Sequence, residues 1–137
     1  MPVALLVLAA CSSPPPIHTA TAVDLERFMG DWYVIANIPT FIETNAYNAM
    51  ESYRLAGDGT VATTFSFREG GFEGARKTYH PTGYIIDKHS NAVWGMQFIW
   101  PIKAEYLILD LAPDYSTTII GRNKRDYLWI MSRAPIV

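Results

Sequence analysis

The chain has 137 residues, half of them apolar, with 18% charged residues, a net charge of -2 and a single cysteine. That length suits one domain around one core, and a weakly acidic chain has no overall electrostatic footprint for nucleic acid. One cysteine excludes an internal disulfide and any multi-thiolate metal site, and no run of eighteen apolar residues offers a membrane-spanning helix.

Residues 3–10 form a short apolar run ending in small residues, followed by Cys11 and the stiff, polar Ser12-Ser13-Pro14-Pro15-Pro16. Leu8-Ala9-Ala10-Cys11 resembles the lipobox of bacterial lipoproteins. The resemblance implies a signal peptide over 1–10, lipidation of Cys11 with acyl chains such as palmitate, and a Pro-rich tether over 11–23. Ser12 after the cysteine is compatible with the outer membrane in that group, and two or more acyl chains anchor stably. No Lys or Arg precedes the apolar run, so the charge of the leader is expected either from the amino terminus or from residues upstream of Met1.

Asp24-Leu25-Glu26-Arg27-Phe28-Met29 can form one helical turn, with Asp24 as N-cap and Gly30 ending it. Beyond Gly30, apolar and aromatic runs recur about every ten residues with turn signals between them. They predict eight strands: A 31–38, B 46–55, C 60–68, D 75–86 interrupted at Pro81, E 92–99, F 104–111, G 117–121 and H 127–133. Gly57-Asp58-Gly59 predicts a tight B–C hairpin, and 69–74 a looser C–D loop. Alternation places Val61, Thr63, Phe65 and Phe67 on one face of C, and Trp94, Met96 and Phe98 on one face of E. Large groups pointing one way on successive strands with short connections favour an all-β, eight-stranded antiparallel up-and-down barrel. A solid sandwich is the other arrangement this pattern allows.

Gly30-Asp31-Trp32-Tyr33 after a helical turn, Pro113-Asp114-Tyr115 before strand G, and Arg133 ending strand H together resemble the three ordered signatures of the lipocalins. The stretch 125–135 is similar to the bacterial, apolipoprotein D-like lipocalins of the outer membrane. The resemblance covers about residues 24–137 and implies a barrel over that range that binds, stores or carries a small hydrophobic ligand, most simply a fatty acid or lysophospholipid. It also implies that Gly30, Trp32 and Arg133 close the barrel, Arg133 lying over the Trp32 ring as a cation–π partner. Lipocalins continue past strand H with a helix on the outside of the barrel, whereas this sequence stops at Val137. Leu107, Leu109 and Leu111 on F and Leu128 and Ile130 on H are expected to face outward. Either a missing C-terminal helix or a partner, a second copy in a homodimer included, is expected to cover them. A natural downstream segment should then raise the melting temperature.

The ligand is expected among Ala49, Tyr53, Thr63, Phe65, Phe67, Trp94, Met96, Phe98, Tyr106, Ile108, Trp129 and Met131, an apolar lumen with a few hydroxyls. The alternation also lets Glu51 and Asp110 point inward. The mouth, opposite Trp32, is expected to carry Phe41, Ile42, Phe72, Trp100 and Ile102. Arg68, Arg76, Lys77, Lys103, Arg122, Lys124 and Arg125 fall near it, against Glu43, Glu69, Glu73, Glu105 and Asp126. Arg76, Lys77, Arg122, Lys124 and Arg125 are the candidates for an anionic headgroup. His18, His80 and His89 are scattered, and no nucleophile elbow, phosphate loop or metalloprotease motif occurs. Neither catalysis nor a cofactor or metal is therefore expected. The alternative to a lipid carrier is a structural envelope lipoprotein whose barrel is filled by its own side chains.

Overall fold

The computed structural model describes residues 15–38 and 46–135. Cys11, Phe41, Ile42 and Glu43 lie outside them. One helical turn, α1 (Leu25–Phe28), precedes β1 (Gly30–Ile38), β2 (Ala46–Leu55), β3 (Val61–Glu69), β4 (Arg76–Tyr79), β5 (Thr82–Asp87), β6 (Val93–Ile99), β7 (Ile102–Leu111), β8 (Thr117–Gly121) and β9 (Leu128–Ser132). Sequential strands pair antiparallel, and β9 returns to pair with β1, which closes the sheet. β4 and β5 both lie along β3 and are the two halves of strand D, parted at His80-Pro81. Pro81 has no N–H to offer the ladder, so the break falls where the sequence places it. The result is an eight-stranded up-and-down barrel, and none of the described helices is long or apolar enough to cross a membrane.

Strand pleating sorts the side chains as period-two patterning requires. In β3, Val61, Thr63, Phe65 and Phe67 are buried inside. A bulge between Ile108 and Asp110 resets β7. One extra residue there turns the following side chains over. Asp110 is consequently exposed rather than inward, and Leu111 packs on the core rather than facing out. Leu107 is buried, while the outward Leu109, Leu128 and Ile130 are half-buried, so the expected exposed row is shorter and better covered than the pattern suggests.

Two boundaries differ from the sequence reading. Met29, not Gly30, caps α1, and Gly30 opens β1 with φ +96°, where a Cβ would sit 3.3 Å from Arg133 Nη1. Glycine alone enters that region at little cost. Residues 15–23 are not a free tether but part of the folded unit. Ile17 N–H donates to Asn123 Oδ1 (2.8 Å), Ala20 N–H to Ile108 O (2.9 Å) and Val23 N–H to Ser90 O (2.9 Å). Val23 is buried in the core.

Candidate functional site

The closed end is built around Trp32 and Arg133. Trp32 is fully buried, and its indole N–H donates to Phe28 O at 2.8 Å, fixing the ring under α1. The Arg133 guanidinium lies 3.8 Å from the ring centroid. It donates to Arg27 O (2.7 Å), Asp31 O (2.9 Å) and Tyr115 O (3.3 Å). One planar cation thus joins α1, β1 and the β7–β8 turn, a task that suits the fork of arginine rather than the point charge of lysine. The Tyr115 hydroxyl accepts from Asp24 N–H at 2.9 Å, and Arg27 lies 4.1 Å over the Tyr115 ring. The sequence motif marks Tyr115, but its bond to the helix cap appears only when the two ends of the chain meet.

Above this plug the lumen has two layers. The lower one stacks Phe28, Tyr53, Trp94 and Tyr106, with Trp94 and Tyr106 4.9 Å apart and nearly parallel. Tyr53 Oη and Tyr106 Oη share a hydrogen bond of 2.6 Å. Glu51 is 2% exposed, and its negative field acts on both phenols. Burial above all, and then Glu51, holds both hydroxyls protonated well beyond the usual tyrosine range. Among the described residues the floor of the barrel therefore offers an acidic side chain and two phenols.

The upper layer is apolar. Phe65 stacks on Trp129 at 5.5 Å and tilts against Phe67 at 5.3 Å, and Phe67 stacks on Tyr79 at 6.1 Å. Met96 and Met131 are also buried and Ala49 is half-buried against the core, while Thr63, opposite Tyr53, and Ile108, beyond Tyr106 on β7, are buried at the level of the lower layer. Phe98 lies at the rim of the lumen, beside the Phe67–Tyr79 stack. It is 45% exposed and meets Tyr79 edge-on at 6.4 Å, because a bulge between Met96 and Ile99 carries it onto the rim.

The mouth cations are not gathered in one cluster. On the β8–β9 turn, Arg122 is ion-paired with Asp126 and lies over the Tyr127 ring, while Arg125 donates to Asn123 O and Pro15 O. Lys124 is exposed. Lys103 lies over the Tyr84 ring on the outer wall, 3.9 Å from its centroid. On β4, Lys77 is opposite Phe67 and bridges to Glu69 at 3.5 Å, whereas Arg76 is directly opposite Arg68. Like charges facing each other across a ladder repel. Among the described residues β1 and β2 pair only from Gly30–Tyr53 to Tyr33–Met50. Where that pairing stops, a recess of about 380 Å³ is lined by Tyr33, Val34, Asn48, Ala49, Met50, Ser66, Phe67, Arg68, Arg76 and Pro135. Its lining contains two guanidiniums and no carboxylate, and Arg76 reaches Ser66 Oγ at 3.4 Å. Sequence reasoning selected Arg76 for a headgroup but grouped it with distant cations. The Arg68–Arg76 register is a property of strand pairing.

His80 is within 3.4 Å of Thr64 Oγ1, and no group of metal-ligating side chains forms among the described residues.

Residues 23–137 match the family model described as a lipocalin-like domain. Outer membrane lipoprotein Blc of Citrobacter freundii is 29% identical over 140 residues, spanning 98% of this chain and 77% of its own length. Temperature-induced lipocalin-1 of Arabidopsis thaliana is 33% identical over 126 residues, spanning 85% of this chain and 66% of its own length. Among solved structures, insecticyanin from the tobacco hornworm Manduca sexta superposes with a TM-score of 0.71 at 20% identity, covering 89% of this chain and 69% of that one.

Proposed function

The chain belongs to the lipocalin family, whose members are in general binders or carriers of small hydrophobic molecules rather than enzymes, and we propose that its ligand is an anionic amphiphile, a fatty acid or lysophospholipid. The observation that carries this reading is the polarity of the barrel along its axis. Among the described residues the floor presents Glu51 and two phenols, whereas the recess in the upper wall carries Arg68 and Arg76 on its outer side, with Phe67 as its apolar inner side. An acyl tail placed among Phe65, Phe67, Trp129 and Met131 runs past Lys77, opposite Phe67 on the inner face. Its head reaches the two guanidiniums on the outer side through the slot in the wall, and guanidinium is the group best matched to carboxylate or phosphate.

The bacterial relatives are named outer membrane lipoproteins. With the lipobox-like Leu8-Ala9-Ala10-Cys11, this supports a carrier with a cleaved signal peptide over 1–10, acylated on Cys11 and held at the outer membrane. The deciding experiment compares the affinities of palmitate, lysophosphatidate and an uncharged monoglyceride from about 0.05 to about 0.5 M salt, a range over which exposed charges are progressively screened. The anionic ligands should bind more tightly and weaken with salt. Exchanging both arginines (Arg68→Gln with Arg76→Gln) should cost them about ten-fold, or about 1.4 kcal/mol, and spare the glyceride. Equal, salt-independent affinities would remove the headgroup assignment. The ring stacking in the lower lumen also favours a second reading, a structural lipoprotein with a self-filled barrel. Absence of saturable uptake for all three ligands would select it.

A further inference from the structure

We propose that the open end of the barrel docks face-down on an anionic lipid bilayer, with the tip of the β6–β7 hairpin as the part that enters it. Ile99 and Ile102 pair at the turn around Trp100-Pro101. Ile99 is 72%, Trp100 82% and Ile102 67% exposed, and Phe72, on the neighbouring β3–β4 turn at the same end, is 67% exposed. A run of apolar side chains held out into water at a tight turn is costly in solution, and marks a surface that meets an apolar phase. Tryptophan and isoleucine at a rigid tip suit the boundary between headgroups and acyl chains.

The charges point the same way. At the open end, Glu69 is engaged by Lys77, Asp126 by Arg122 and Glu105 by Asn123, and Glu73 is exposed on the β3–β4 turn. Arg68, Arg76 and Lys124 are exposed, and Arg125, also exposed, donates only to backbone carbonyls. At the closed end, the acids Asp24, Glu26, Asp31, Asp58, Asp87 and Asp114 outnumber the cations Arg27, Arg54, Lys88 and Arg133. A chain of net charge -2 therefore has a basic face around its mouth and an acidic face at its base, and a negative membrane surface would turn the mouth toward itself. Attraction at that face is short-ranged, acting within about one Debye length.

The N-terminal segment leaves the barrel at this end. Arg125 Nη2 donates to Pro15 O at 2.9 Å, and Ile17 N–H to Asn123 Oδ1 at 2.8 Å, so the segment is held at the β8–β9 turn beside the mouth. Cys11 is four residues upstream of Pro15 in the sequence. Where the acylation proposed above occurs, the segment that leads to the anchor is held at the same end as the apolar tip. The docking surface itself does not depend on it.

The test uses the full chain carrying Cys11→Ser, so that no acyl chain contributes. Vesicles of phosphatidylglycerol with phosphatidylethanolamine are compared with phosphatidylcholine vesicles. Trp32, Trp94 and Trp129 are buried, so Trp100 is the tryptophan a bilayer can reach. Brominated acyl chains should quench its emission on anionic vesicles, and Trp100→Phe should abolish the quenching while retaining binding. Replacing the tip apolar groups together (Ile99→Ser, Trp100→Ser, Ile102→Ser) should weaken vesicle binding by about ten-fold or more. Ile86→Ser, an exposed apolar position on the wall of β5, should leave it unchanged. Absence of binding to anionic vesicles, or equal binding by the triple variant, overturns the proposal. So does self-association that the triple variant abolishes without any vesicle binding, which assigns the tip to a second copy. Docking by a chain that takes up no palmitate upholds the proposal while removing the carrier reading.

Discussion

Replacing Arg133 with methionine removes the cation that joins α1, β1 and the β7–β8 turn. Three backbone carbonyls, of Arg27, Asp31 and Tyr115, lose their donors, and the face of buried Trp32 loses its cation. A charge-assisted hydrogen bond is worth about 1.5–3 kcal/mol when buried. Arg133 is only half-buried, so water can replace part of each bond and about 0.7 kcal/mol apiece is a fairer figure. The cation–π contact adds about 1 kcal/mol against a desolvated ring. The expected loss is about 3 kcal/mol, which lowers the melting temperature by about 10 °C in a domain of this size. Arg133→Lys keeps the charge over Trp32 but can serve one carbonyl at a time, and should lose about half as much. Urea unfolding followed by tryptophan fluorescence measures both, with a constant m-value as the check on two-state behaviour. If both variants fall within about 0.5 kcal/mol of the parent, the plug is held by apolar packing alone and the role given to Arg133 is wrong.

Gly30→Ala should cost about 1–3 kcal/mol, because the residue must hold φ +96° with its new Cβ against Arg133; an unchanged thermal midpoint would show that the β1 entry relaxes freely. Tyr53→Phe, Tyr106→Phe and the double variant form a cycle around their shared 2.6 Å hydrogen bond, and a coupling of about 1 kcal/mol is expected from urea midpoints. The same two phenols predict alkaline sensitivity. Their folded pKa values lie above the unfolded value of about 10. The unfolded chain therefore binds fewer protons above that pH, and stability is full below pH 10 and falls as pH rises beyond it. Absorbance at 295 nm, compared with the Tyr53→Phe and Tyr106→Phe variants, should show these two phenols ionising only with unfolding, and their ionisation in the folded state would contradict this burial. Val23→Ala should destabilise by about 2 kcal/mol, measured by thermal melt, because Val23 is buried in the core; a free tether would register almost nothing.

Much of the barrel is legible in the chain because a strand with one wet and one dry face must alternate. Strand G is placed at 117–121 by pattern and found there as β8, and the break in strand D falls at Pro81 because proline cannot serve the ladder. Trp32 and Arg133 are marked by the motif, and their contact follows from β1 and β9 closing the sheet. Periodicity fails where a single inserted residue changes the face. The bulges in β7 and β6 expose Asp110, turn Leu111 inward and carry Phe98 to the rim, and nothing local in the sequence announces them.

The eight strands, the enclosed apolar face, the plug residues and the basic character of one end can be read from the order of residues. These rest on alternation, turn chemistry and motif, which act over a few residues. The tertiary structure alone decided which charges are spoken for, pairing Lys77 with Glu69 and Arg122 with Asp126 while setting Arg68 against Arg76. It also decided that residues 15–23 join the folded unit beside the mouth and that the hairpin tip stands out from it. Such facts depend on register and on contacts between residues about a hundred positions apart, and register is fixed only when every strand has found its neighbour.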